Sequence, residues 1–194
     1  MSPELPPAFV PSVDGELSVG SGLCTKCGLC CTGALHHYAV LDADEIAPAR
    51  GLGLALRTSG KPGFRLPCPK LQNSVCTIYP DRPRVCGRYK CQLLDDVEAG
   101  STSLGIALEK VRVAKQLVKN AEELVPDGLT LPEARMLALE PADHHSEPRD
   151  ITMPGRLAIA ALCLYLDKHF MNSREGRLLS VVSVAKSAGE MNEP

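Results

Sequence analysis

The sequence predicts an α-rich fold: a small, irregular, cysteine-organised metal-binding region with a short hairpin, followed by a helical half. Three observations predict it. Eight of the nine cysteines lie between Cys24 and Cys91. After Cys91, apolar residues recur at helical spacing. Aromatic residues make up only 4% of the chain, with no Trp, so a large aromatic core is not on offer. Metal binding would stand in for it, because the free energy of binding becomes free energy of folding.

The remaining composition is that of an ordinary globular chain, 44% apolar and 23% charged. Its 194 residues fit one domain, or one domain with a small appendage. A net charge of -2 argues against wholesale electrostatic binding to nucleic acid. The longest apolar run, Leu157 to Leu166, is about half of what a membrane span needs. The first residues, Met1 to Ala8, lack the positive and apolar stretches of a secretion signal. A cytoplasmic location is therefore expected, where thiols stay reduced and dense cysteines bind metal instead of forming disulfides.

Four regions follow from these shifts. Residues 1–20, rich in Pro, Ser and Gly, read as a flexible N-terminal arm. Residues 21–97 hold the cysteine cluster, residues 98–185 form a helical region packing on it, and residues 186–194 form a flexible tail.

Regular elements in the cysteine region are short. Tyr38 to Leu41 reads as a strand. Asp42 and Glu45 have the spacing of a capping box, opening a short helix toward Leu56 that Pro48 and two glycines weaken. Leu71, a Gln72-Asn73-Ser74 turn and Val75 to Tyr79 read as a small hairpin. In the helical region, Leu104, Leu108, Val111, Ala114, Val118, Ala121 and Val125 form an apolar stripe. Lys110, Lys115, Lys119 and Glu122 fall on its other side, and Pro126 stops the helix. Thr130 caps a second helix, with Glu133 three residues on. A third runs from about Pro154 to Phe170. It is apolar nearly all round from Leu157 to Leu166 and should be the most buried. Ser180 to Ala185 has no assignment.

The candidate metal ligands are Cys24, Cys27, Cys30, Cys31, Cys68, Cys76, Cys86 and Cys91. A two-residue gap between cysteines lets a chain wrap an ion, and Gly28 permits a tight turn with N–H groups facing sulfur. Thiolates are soft ligands that select zinc, Cu(I) or iron–sulfur clusters. Cys24, Cys27 and Cys30 match the start of the bacterial ferredoxin run, but Ala34 stands where its fourth cysteine belongs. Cys68-Pro69 could supply that ligand from afar. Equally, eight thiolates could make two Cys₄ zinc sites. Adjacent Cys30 and Cys31 point apart in most backbone conformations, so they serve two sites, or only one of them ligates. From Lys61 to Lys90 the basic residues Lys61, Arg65, Lys70, Arg82, Arg84, Arg88 and Lys90 face a single acid, Asp81. They would offset a metal–thiolate charge, receive an anion, or form a solvated basic face.

The string Cys24-x-x-Cys27-x-x-Cys30-Cys31, then Cys68-Pro69, Cys76-x-Ile78-Tyr79-x-x-Arg82-Pro83-x-x-Cys86 and Cys91, resembles the YkgJ family. That family is also called the CxxCxxCC, zinc- or iron-chelating domain. The resemblance covers about residues 24–91. It is similar as well to the cysteine domain of the flagellin lysine methylases, which is associated with an iron–sulfur cluster and methyl transfer. The resemblance implies that the eight cysteines are ligands of an iron–sulfur cluster, with [4Fe-4S] favoured, or of Zn²⁺.

Other residues have plainer readings. Cys163, in an apolar helix, reads as core packing. His36-His37 lies close enough to the first cysteines to ligate, though eight thiolates leave little need of it. His144-His145 reads as a solvated loop. Tyr79 and Tyr89 pack around the metal region, and Arg82 braces its loop. Three functions then compete: an iron–sulfur redox or protein-modifying, methyltransferase-like enzyme acting on another protein; a structural zinc interaction module; and a metal store or carrier. The first predicts a pocket beside Arg82, Arg84 and Arg88.

Overall fold

The computed structural model describes residues 19–139 and 151–172. The elements in chain order are α1 (Val19–Cys27), β1 (Tyr38–Val40), a 3-10 turn (Ala43–Glu45), α2 (Ile46–Gly51), β2 (Gly63–Arg65), β3 (Leu71–Gln72) and β4 (Val75–Cys76). There follow α3 (Arg84–Arg88), α4 (Gln92–Glu98), α5 (Leu104–Glu122), α6 (Leu131–Leu139) and α7 (Met153–His169). The fold is α-rich, with two small antiparallel sheets, β1–β2 and β3–β4. His144-His145, Ser180 to Ala185 and the tail 186–194 lie outside the described residues, as do residues 1–18 of the N-terminal arm.

Two apolar clusters organise the chain. The larger joins Leu23 and Leu29 to Leu93, Leu94 and Val97 of α4, the inner stripe of α5 and Ile159, Leu162, Cys163 and Leu166 of α7. The smaller consists of Leu41, Ala49, Leu54, Phe64 and Leu66. Pairing of Tyr38, Ala39 and Val40 with Arg65, Phe64 and Gly63 frames the smaller one. Gly63 is required there, since a Cβ would sit 2.3 Å from the Ala39 carbonyl oxygen.

Local chemistry sets the boundaries. The Asp42 N–H donates to Glu45 Oε2 (3.2 Å), as the capping spacing predicts. The helix it opens ends at Gly51, short of Leu56, where Gly51 and Gly53 let the chain leave. Asn73 and Ser74 both have positive φ, the geometry of a two-residue hairpin turn. Ser103 accepts from the Ile106 N–H to start α5, and Thr152 from the Gly155 N–H to start α7. Glu133 Oε2 accepts from both the N–H and the hydroxyl of Thr130 ahead of α6.

Two sequence expectations need correction. The buried stripe of α5 is Ala107, Val111, Ala114, Val118 and Ala121, whereas Leu104 lies outside it. Helix α7 is not buried all round: Ile159, Leu162, Cys163 and Leu166 face the core, while Leu157 (63%) and Leu164 (60%) are exposed. A helix covered on one side buries one stripe, whatever the composition of the other.

Candidate metal centre

The three-residue spacing from Cys24 to Cys30 is presented by the end of α1 and the turn after it. Leu23 anchors α1 in the larger cluster, and α1 packs on α4 and α5. Gly28, at φ +71, takes the left-handed step that glycine tolerates and turns the chain out of the helix. The turn aims the Leu29 amide at the Cys27 sulfur. Cys91 sits just ahead of α4, in extended backbone, with the Leu94 and Leu93 amides against its sulfur. Cys27, Cys30 and Cys91 all pack with the larger cluster.

Of the other ligand candidates, Cys68 packs against the smaller cluster, as do Ile78 and Val85, which lie beside Cys76 and Cys86 in sequence. The Cys68 N–H donates to the Cys31 carbonyl (2.8 Å), and the Lys70 and Leu71 amides face the Cys68 sulfur. Leu71 pairs with Cys76 across the hairpin. Helix α3, carrying Cys86, is held by Arg84. Its N–H donates to Glu45 Oε1 (2.7 Å), and its guanidinium reaches Asp42 (3.0 Å) and Asp44 (2.6 Å).

Burial raises most of the eight thiols, and neighbouring thiols add to it, some of them across the Cys30–Cys31 step. Burial pushes Cys27 up to about 12, and Cys91 and Cys24 add to it. Cys30 lies well above its ordinary range through burial, then through Cys27 and Cys91. Burial raises Cys91 to about 11, with Cys24 adding. Cys31 is raised to about 11 by burial, then by Cys68 and Cys76. Burial followed by Cys31, Cys68 and Cys76 takes Cys86 to about 12. The thiols are grouped as two quartets, Cys24, Cys27, Cys30 and Cys91 beside the larger apolar cluster and Cys31, Cys68, Cys76 and Cys86 around the hairpin, with Cys31 also acting on Cys30. They adjoin at Cys30–Cys31, and Cys24 also acts on Cys31. All nine cysteines are free thiols.

Among the described residues, no three His, Cys, Asp or Glu side chains stand in ion-holding geometry as they are. Protonated thiols gain nothing by converging. A metal displaces the protons and draws sulfur in, to about 2.3 Å for zinc. The donor set fits a thiophilic metal by its chemistry: all eight candidates are sulfurs, and backbone amides face those of Cys27, Cys68 and Cys91.

The surroundings match most of the sequence reading. Arg82 braces its loop, donating to the Tyr79 carbonyl (2.7 Å) and stacking on the Tyr79 ring (3.7 Å). Tyr89 packs beside the larger cluster, with its ring edge-on to His36 at 4.7 Å. Cys163 is fully buried in the core. The basic stretch is partly offset by acids outside it, because Arg84 pairs with Asp42 and Asp44, and Lys90 with Glu98. An open cleft of about 330 Å³ adjoins α3, lined by Val40, Asp42, Glu45, Val85, Arg88 and Tyr89. Of the three arginines expected around it, Arg88 alone lines it, since Arg84 and Arg82 are engaged as described.

Two residues escaped the sequence reading. Lys115 lies on the polar side of the α5 stripe, yet its Nζ donates to the Lys26 carbonyl (2.7 Å) and to Ser74 Oγ (3.1 Å). Arg135 of α6 is only 2% exposed, and its Nη1 donates to the Ala34 carbonyl just past Cys31. Nothing in local pattern marks either one, because both partners lie far away in sequence.

Residues 23–113, which hold all eight clustered cysteines, match the family model CxxCxxCC, described as "Putative zinc- or iron-chelating domain". No curated protein and no solved structure matches the chain. Among the described residues, no helix is long and apolar enough to cross a membrane.

Proposed function

We propose that this chain, whose residues 23–113 form a CxxCxxCC domain, holds metal at two adjacent four-thiol sites. On this reading it serves as an iron–sulfur protein in redox or protein-modification chemistry, with another protein as substrate or partner. The observation that supports the reading is that Cys27, Cys30 and Cys91 pack with the larger apolar cluster, whereas Cys31 is bonded through its carbonyl to the Cys68 N–H at the approach to the Cys76 hairpin.

The first quartet takes three cysteines at three-residue spacing from one segment and a fourth, Cys91, from afar. That is how ferredoxin-type ligation is built, where a triplet combines with one remote cysteine. Cys24, Cys27, Cys30 and Cys91 would hold a [4Fe-4S] cluster, and Cys31, Cys68, Cys76 and Cys86 the second metal centre. A cluster so bound supplies one-electron transfer. The chain's own part is to shield and position it. The larger apolar cluster packs against one side of Cys30, and the Leu29, Leu93 and Leu94 amides favour the anionic form of the sulfurs they face.

The test is anaerobic purification, with iron, zinc and acid-labile sulfide measured on the same sample alongside an absorption spectrum. Stoichiometric iron and sulfide with broad absorption near about 400 nm supports the reading. Colourless protein with two tight zinc ions and no sulfide overturns the cluster and leaves a two-site zinc module. A single ion per chain overturns the division into two sites.

A further inference from the structure

We infer that Lys115 is a positioning residue that ties the ligand loops of the two thiol quartets to helix α5, an inference that rests on the two-site reading. The Lys26 carbonyl, which accepts from Nζ at 2.7 Å, lies in the two-residue gap between Cys24 and Cys27. Ser74, which accepts at 3.1 Å, lies in the hairpin turn between Cys68 and Cys76. One ammonium thus bonds to a loop of each quartet.

The two loops also meet directly. Gly28 sits over the hairpin, and a Cβ there would be 3.8 Å from Leu71 Cδ1 and 4.0 Å from the Ser74 Cα. Ser74 holds a positive φ of 66°, which a non-glycine residue adopts at a cost that the Lys115 bond helps to offset. An ammonium carries three N–H donors, and two are committed here. A four-thiolate centre keeps net negative charge, so a cation held beside it favours the loaded state. Lys115 lies beyond residue 113, where the family match ends, so the helical half contributes to the site through it.

Residues that orient metal ligands without touching the metal typically change affinity about 10–100-fold when removed. The experiment uses the full chain, reduced and metal-free under anaerobic conditions, as wild type, Lys115→Met and Lys115→Arg. Co(II) is the probe, read by its thiolate charge-transfer absorption in competition with a chelator. Amide hydrogen exchange is followed on the same metal-free samples, and far-UV circular dichroism confirms that each variant folds. The expected result is weaker Co(II) binding by Lys115→Met, within that 10–100-fold range, with most of the affinity restored in Lys115→Arg. Exchange should quicken at Cys27, Gly28 and Ser74 in Lys115→Met while α7 keeps its protection. Unchanged affinity and spectrum in Lys115→Met overturn the inference while the two-site reading stands. Wild type that takes no Co(II) through its thiolates overturns the two-site reading and the metal role of Lys115. The exchange data then still decide whether the tie between the loops exists, and unchanged exchange refutes it.

Discussion

The Cys68 N–H donates to the Cys31 carbonyl at 2.8 Å, so the backbone itself joins the turn after α1 to the approach of the β3–β4 hairpin. Cys31 is thereby joined to Cys68, while Cys30, one peptide bond away, packs with Cys27 and Cys91 against the larger apolar cluster. Neighbouring residues in an irregular turn project in different directions, and on the two-site reading these two serve different metal sites. Cys30→Ser and Cys31→Ser should therefore each empty one site and leave the other loaded, because a four-ligand site that loses one ligand loses its closed coordination. The cost to the fold should differ. Cys30 sits against the larger apolar cluster, so its loss should lower the melting temperature more than loss of Cys31. Metal analysis and thermal circular dichroism on both variants check this. Complete metal loss from either single variant would mean one shared site.

How far the sequence was legible follows from where its signals are local. The capping spacings at Asp42–Glu45 and Thr130–Glu133, the hairpin and the period of α5 are all short-range and appear in the structure, though the turn is Asn73-Ser74 without Gln72 and the return strand ends at Cys76, short of Tyr79. The cysteine string was legible as a family signature for the same reason. Helix α1 was not, because Gly22 and the cysteines give it little intrinsic propensity, and its packing on α4 and α5 forms it. Nor was the assignment of Cys91 to the triplet and of Cys31 to the hairpin. Both depend on contacts between segments far apart in the chain, as do the partners of Lys115 and Arg135.

Helix α7 shows the same limit in energetic form. Its composition is apolar on every side, but only one stripe meets the core. Leu162, fully buried, should cost about 2–5 kcal/mol when cut to Ala, since the transfer term and the cavity add. Leu157, at 63% exposure, should change stability by less than about 0.5 kcal/mol when replaced by Ser. Urea unfolding of the two variants measures both. Equal losses would place a partner surface over Leu157.

Gly33, two residues beyond Cys31, has φ +84, and a Cβ there would lie 2.5 Å from Pro132 Cγ of α6. Gly33→Ala therefore meets two penalties, backbone strain and a steric clash, each of order 1–3 kcal/mol. Pairing it with Pro132→Ala should relieve the clash and leave the strain, so the double variant should recover part of the loss. A double-mutant cycle by urea unfolding separates the two terms. Additive losses would show that the turn and α6 do not press on one another.

His37 gives the fold an acid-sensitive point. Burial, then the Arg135 charge and His36, hold its imidazole at about 4, below the ordinary 6.5. The Leu66 N–H donates to its carbonyl at 3.1 Å, which ties it beside the smaller cluster. Between those two values the unfolded chain binds a proton that the folded chain does not. Linkage then requires stability to fall as pH drops from about 6.5 to about 4, and this group adds no slope above that window or below it. The carboxyls of Asp44 and Glu109, held down by the Arg84 and Arg112 hydrogen bonds, lose their contribution mainly at lower pH. Metal-free protein in chelator isolates the effect from protonation of metal-bound thiolates. Urea unfolding across that range should show wild type losing stability as pH falls, and His37→Gln losing distinctly less. Matching profiles for the two proteins would assign the acid loss to other groups.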